Sequence, residues 1–224
     1  TKLSRTLALG ATVELVASDS AERARRAAEL ADQEGLTPIE PYDSREVLAA
    51  TGTIAVEILE DLPDAGMTPP VIYVPISGGG LAGGVAAGAK LCDPRVRVVG
   101  VEPEVAADAL ASRRAGHRVA LPPEQMRRTI ADGLRVQQVG VLTWPHLEAF
   151  VDDIVTVSEQ QIRDTVRRIA AEACLVAEPS GAVPVAAALA GRASATHGYA
   201  SVAVLTGGNV DAAVLAELLA DPRT

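Results

Sequence analysis

Apolar and polar positions along the chain switch between a two-residue and a 3.6-residue period, and the switches mark the elements. Residues 11–17 (ATVELVA) alternate in the manner of a strand. Ser18-Asp19-Ser20 supplies helix caps, and a helix is predicted over 21–33, ended by Gly35. A short extended segment at 37–40 is bounded by Pro38 and Pro41, and a helix is predicted from about 44 to 61. The run PVIYVPI at 70–76 is continuously apolar, the pattern of a strand buried on both faces of a parallel sheet. A glycine loop at 77–80, a helix over 81–91 and a second buried strand over 96–101 follow. After an irregular stretch rich in Arg and Pro come a strand at 153–157, a helix from Ser158-Glu159 to 173 and a helix over 180–193. A last buried strand at 199–205 leads into Thr206-Gly207-Gly208-Asn209. Residues 1–9 read as a helix entered without a cap.

Repetition of strand and helix with apolar strands predicts an α/β fold, an open twisted parallel sheet with helices on both faces. The nearest approach to a domain boundary is 41–45. Residues 1–43 are read as the remnant of a smaller α/β domain and 44–224 as the C-terminal part of a large ligand-binding domain.

Composition narrows the partners. With 48% hydrophobic and 22% charged residues the chain is globular rather than disordered. A net charge of −9 without a basic run excludes nucleic acid, whose phosphates need Lys and Arg. No apolar run reaches the roughly 20 residues of a membrane span, so no membrane partner is expected. Cys92 and Cys174 lack metal-binding or disulfide spacing, which favours a reducing cytoplasm, and Cys174 lies in an apolar helical run that predicts packing.

Ser77-Gly78-Gly79-Gly80-Leu81 joins a buried strand to a helix. Glycines let backbone approach an anion, and a helix N-terminus adds free N–H groups and a favourable dipole, so a phosphate is the natural occupant. The spacing fits neither a nucleoside-triphosphate loop nor a dinucleotide fingerprint. The same loop also reads as a tight turn needed for close helix packing. Thr206-Gly207-Gly208 places a hydroxyl beyond another strand end, where open α/β sheets bind ligands, and also reads as a capped turn. Glu102 and Asp108 flank a short loop whose oxygens suit a hard cation, and equally read as solvated acids.

The ordered set of motifs carries a family resemblance. Val74-Pro75-Ile76-Ser77-Gly78-Gly79-Gly80-Leu81, Gly52-Thr53-Ile54, Gly100-Val101-Glu102-Pro103, Thr129-Ile130-Ala131-Asp132-Gly133-Leu134, Thr143-Trp144-Pro145, Glu178-Pro179 and Gly207-Gly208-Asn209 occur in sequence. Together they resemble fold-type II pyridoxal-phosphate enzymes, most closely serine/threonine dehydratases and serine racemases with the tryptophan synthase beta-like fold. The resemblance implies pyridoxal 5'-phosphate as cofactor, held by Ser77, Gly78, Gly79, Gly80 and Leu81 at its phosphate. It implies Thr206 at the pyridine nitrogen, Gly133 facing the ring and Glu178 near it. It further implies Glu102, the Ala106 carbonyl and Asp108 as ligands of a divalent cation such as Mg2+. Ser77 stands where the family usually has glycine, and Thr206 where it usually has serine. The implied reaction removes water from serine or threonine to give a 2-oxo acid and ammonia, in a homodimer. Tyr42 falls at a position that is aromatic in dehydratases and asparagine in the racemase, which favours dehydratase over the alternative of a serine racemase.

The family's Schiff-base lysine belongs to a Ser-x-Lys motif ahead of the glycine loop, and no such motif occurs here. Lys2 and Lys90 are the two lysines. Lys2 is expected far from the glycine loops, and Lys90 roughly 15 Å of helix rise away from the first of them. The chain is therefore read as a fragment, inactive alone. A lysine-free relative that binds a phosphorylated ligand, and a generic nucleotide-binding domain, are the rival readings.

Overall fold

The computed structural model describes residues 2–16, 20–62, 69–191 and 200–220. Its centre is a four-stranded, all-parallel sheet in the order β3-β2-β1-β4, formed by β1 (Val71–Pro75), β2 (Arg97–Pro103), β3 (Asp153–Val157) and β4 (Ser201–Ala203). Strand alternation distributes the core to both sides of the sheet. Ile72, Val74 and Ile76 bury against the helices α3 (Arg45–Asp61), α4 (Gly80–Cys92) and α7 (Thr143–Phe150). Val71, Tyr73, Val99 and Val101 bury on the opposite face with Ile162 of α8 (Glu159–Ala173) and Val183 of α9 (Pro179–Leu189).

Helix starts follow local chemistry. The Ser44 side chain accepts the amide of Val47, and Ser158 forms a reciprocal capping box with Gln161. The stretch predicted as irregular contains α5 (Asp108–Ala115), the short α6 (Pro123–Met126), a 3-10 turn at Asp132–Leu134 and α7. The remaining helices are α1 (Lys2–Ala8), α2 (Ser20–Glu34) and α10 (Ala212–Leu219).

Three expectations are corrected. Residues 11–16 form no strand: β-prone residues need a neighbouring ladder, and none of the described residues pairs with them. Residue 17 and the proposed caps at 18 and 19 lie outside the described residues. Cys174 is not packed in a helix; it caps the C-terminus of α8 in the left-handed conformation, φ 56°, and both cysteines are exposed. The last strand is shorter than 199–205, and its first predicted residue lies outside the described residues.

Candidate active site

At the C-terminal edge of the sheet lies an open cavity of about 1140 Å³. Ser77, Gly78, Gly79, Gly80, Leu81, Gly133, Glu178 and Thr206 all line it. This is the crevice where parallel α/β sheets present strand ends to ligands.

The glycine loop is shaped by what holds its carbonyls. Gly78 O accepts the amide of Gly140 at 3.0 Å and the Thr143 hydroxyl at 2.6 Å. Gly80 O accepts the Thr51 hydroxyl at 3.0 Å, and Gly79 takes a left-handed φ of 93° that favours glycine. With the carbonyls fastened behind it, the loop's amides are left over. Among the described residues, no protein oxygen accepts from the backbone N–H of residues 77–81. The Ser77 hydroxyl is likewise buried without a partner. Buried donors without acceptors call for a ligand, and a row of them at a helix start calls for an anion.

The loop's supports come from distant sequence. The Asp43 carboxylate gathers the amides of Val141 (2.8 Å), Leu142 (2.8 Å) and Thr143 (3.1 Å), fixing the segment that holds Gly78 O. Next to it, the Tyr42 ring lies against Gly78: a Cβ there would come within 2.2 Å of Tyr42 Cδ2. Burial, reinforced by the Asp43 carboxylate, pushes the Tyr42 phenol above its ordinary pKa.

The far wall joins α9 to the loop after β4. Glu178 N–H donates to Gly207 O at 3.1 Å, and Glu178 Oε2 is buried without a hydrogen-bond partner. The Ser180 hydroxyl accepts the amide of Gly133 at 2.9 Å and so seats the 3-10 turn in the wall. The Thr206 hydroxyl has no protein partner among the described residues, which leaves it available to a ligand. Sequence reading gave no supporting role to Asp43, Thr143 or Ser180. Thr143 opens one quoted motif and Ser180 adjoins another, whereas nothing in the local sequence ties Asp43 to a loop 98 residues on.

The lysines are engaged. Lys90 Nζ donates to Val96 O at 2.7 Å and to Asp152 at 2.9 Å, away from the cavity. Lys2 corrects the expectation of distance: its ammonium lies 2.8 Å from Asp132 Oδ2 and 3.8 Å from Glu178 Oε2, both cavity residues.

Glu102 in β2, Ala106 in the turn that follows and Asp108 at the start of α5 lie apart from the residues lining the cavity. Glu102 is fully buried, and its oxygens accept the amides of Ala109 (2.9 Å) and Leu110 (2.8 Å) at the start of α5. Burial raises Glu102 well above the ordinary carboxyl range, with the Asp108 charge adding to it. Burial raises Asp108 to about 7, and its Oδ2 has no hydrogen-bond partner. Among the described residues no cluster of three or more His, Cys, Asp or Glu side chains could hold a metal. An oxygen set here would have to be completed by main chain.

A parallel α/β sheet whose glycine loop and opposite hydroxyl loop share one anion-ready cavity defines a phosphate-anchoring ligand-binding fold. Comparison with known proteins gives that fold its family. Residues 1–207 match the family described as pyridoxal-phosphate dependent enzyme, and the chain belongs to it. It is 38% identical to a serine racemase of Oryza sativa over 192 residues, 84% of this chain and 54% of that protein. It is 36% identical to an L-threonine ammonia-lyase of Thermotoga maritima over 210 residues, 94% of this chain and 50% of that protein. The solved structure of maize serine racemase superposes with a TM-score of 0.86 at 34% identity, covering 96% of this chain and 64% of that one. The chain thus spans about half the length of these two curated relatives.

Proposed function

We propose that the protein carrying this chain is a pyridoxal-phosphate-dependent ammonia-lyase that converts serine or threonine into a 2-oxo acid and ammonia. The observation that carries the reading is the set of unaccepted backbone amides at 77–81, facing the same cavity as Gly133, Glu178 and Thr206. These residues fit the cofactor: the amides and Ser77 Oγ offer donors to a phosphate, and a hydroxyl stands on another wall. Bound there, pyridoxal phosphate supplies an electron sink for the charge that develops when the substrate's α-proton leaves.

This chain's residues bind and orient. The amides of Gly78–Leu81 would hold the phosphate, Thr206 Oγ1 would serve the pyridine nitrogen, and Gly133, seated by Ser180, would leave room for the ring beside backbone. Glu178 fixes the Gly207 turn, and so the height of Thr206, through its own amide. Residues 1–43 belong on this reading to a smaller domain and 44–224 to the cofactor domain of a cytoplasmic homodimer. Among the described residues no helix is long and apolar enough to cross a membrane.

Glu102, the Ala106 carbonyl and Asp108 form the divalent-cation site of this reading. The buried, unpartnered Asp108 Oδ2 beside a second buried carboxylate supports it, because a cation would relieve both. It would tie β2 to α5 and take no part in bond breaking.

The deciding experiment loads the whole protein with pyridoxal phosphate and follows ammonia and 2-oxo acid release from L-serine and L-threonine. Chiral chromatography of the remaining serine is run alongside. Oxo-acid release at rates far above cofactor alone is expected. Accumulation of D-serine without oxo acid would move the assignment to a racemase.

A further inference from the structure

The far wall of the cavity carries a carboxylate that the cofactor chemistry has to tolerate. Glu178 lines the cavity, and its Oε2 is buried without a hydrogen-bond donor. Its other oxygen sits against the two glycines of that wall: a Cβ on Gly207 would come within 2.5 Å of Glu178 Oε1, and one on Gly133 within 3.9 Å. An uncompensated negative charge there would oppose the negative charge that develops when the substrate's α-proton leaves.

Among the described residues, Lys2 is the one cation paired with Glu178. Its Nζ donates to Asp132 Oδ2 at 2.8 Å and lies 3.8 Å from Glu178 Oε2, too far for a hydrogen bond but close enough for Coulomb attraction. The helix that presents it, α1, buries none of its residues, and a second polar tie runs from Arg5 Nη1 to Asn209 Oδ1. These contacts reach three separate pieces of the wall: the 3-10 turn, the start of α9 and the loop after β4.

The geometry offers charge compensation more than anchoring. The Lys2–Asp132 pair is half-exposed, and such pairs hold structure weakly. The Glu178 side chain is only 15% exposed, so solvent screens a facing cation less. We propose that Lys2 is a positioning residue that acts through Glu178, offsetting the carboxylate's charge so that a cofactor ring is tolerated beside it. This rests on the pyridoxal-phosphate reading above and adds to it a residue of α1.

The test uses the whole protein freed of cofactor, titrated by calorimetry with inorganic phosphate and with pyridoxal 5'-phosphate. Phosphate reports the glycine loop alone, whereas the cofactor reports the loop and the far wall together. Lys2→Met should weaken pyridoxal phosphate about tenfold and leave phosphate unchanged. Lys2→Arg should retain most of the affinity. Glu178→Gln added to Lys2→Met should recover it too, because it removes the unmatched charge. Lys2 is exposed on a helix that buries nothing, so the Lys2→Met core is untouched, and the melting temperature of the cofactor-free form checks this. A loss that falls equally on both ligands, no loss on either, or no recovery by Glu178→Gln overturns the proposal. Absence of pyridoxal-phosphate binding by the unaltered protein overturns both readings. Oxo-acid release from L-serine is followed in the same samples. The full binding pattern without oxo acid removes the lyase reading and leaves Lys2 in its role, whereas oxo-acid release with unaltered binding by Lys2→Met does the reverse.

Discussion

Gly181 and Thr206 touch main chain to main chain: a Cβ placed on Gly181 would lie 1.5 Å from the Thr206 carbonyl oxygen. That contact sets where the Thr206 hydroxyl stands relative to the glycine loop. Gly181→Ala should therefore displace the 206–208 loop and destabilise the protein by roughly 1–3 kcal/mol. Urea unfolding gives the second quantity, and pyridoxal-phosphate titration should show a loss of affinity larger than the stability change accounts for.

Thr143 Oγ1 is one of the two donors that hold Gly78 O behind the glycine loop. Thr143→Val keeps the shape and removes the donor, leaving a buried carbonyl with one bond. A stability loss of about 1–2 kcal/mol and cofactor binding about tenfold weaker are expected. Thr143→Ser should retain most of both.

The buried acids make stability fall as pH rises. Glu102 and Asp108 have folded pKa values above their unfolded ones, so the folded state holds more protons between about pH 4 and 7. Under chelator, the melting temperature should drop across that window as each group is forced to ionise in place. Addition of Mg2+ or Ca2+ should restore it at pH 8, more than at pH 5. A melting temperature indifferent to both cations at pH 8 removes the cation site and leaves Glu102 as the cap of α5.

Neither lysine of this chain is placed as the catalytic base, since Lys90 is bonded to Val96 and Asp152 and Lys2 to Asp132. The 224-residue chain alone should release no more oxo acid from serine or threonine than free pyridoxal phosphate does. Turnover above that background which disappears in Lys2→Met would instead make Lys2 the base.

Where the chain's own period decided burial, sequence reading located the elements. The run at 70–76 became a central strand because every residue of β1 is buried, and Ser44 and Ser158 cap the helices they announce. The eight residues singled out at the glycine loop, the 3-10 turn and the loop after β4 line one cavity, and they were legible because they fall in short motifs at strand and helix ends. The supports of the site were not, because Asp43 finds its amides only once the sheet has folded. The segment 11–16 fails for the same reason in reverse. Its alternation states a preference for a ladder, and no described residue supplies the neighbouring strand.

Tyr42 leans on Gly78, Gly78 is bonded to Thr143, Thr143 is bonded to Asp43, and Asp43 is joined by one peptide bond to Tyr42. The circuit is closed. Tyr42 and its neighbours at 37–41 also form the rim of the cavity. The rim is therefore tied to the floor: a change at Tyr42 reaches Gly78 directly and reaches it again through Asp43 and Thr143.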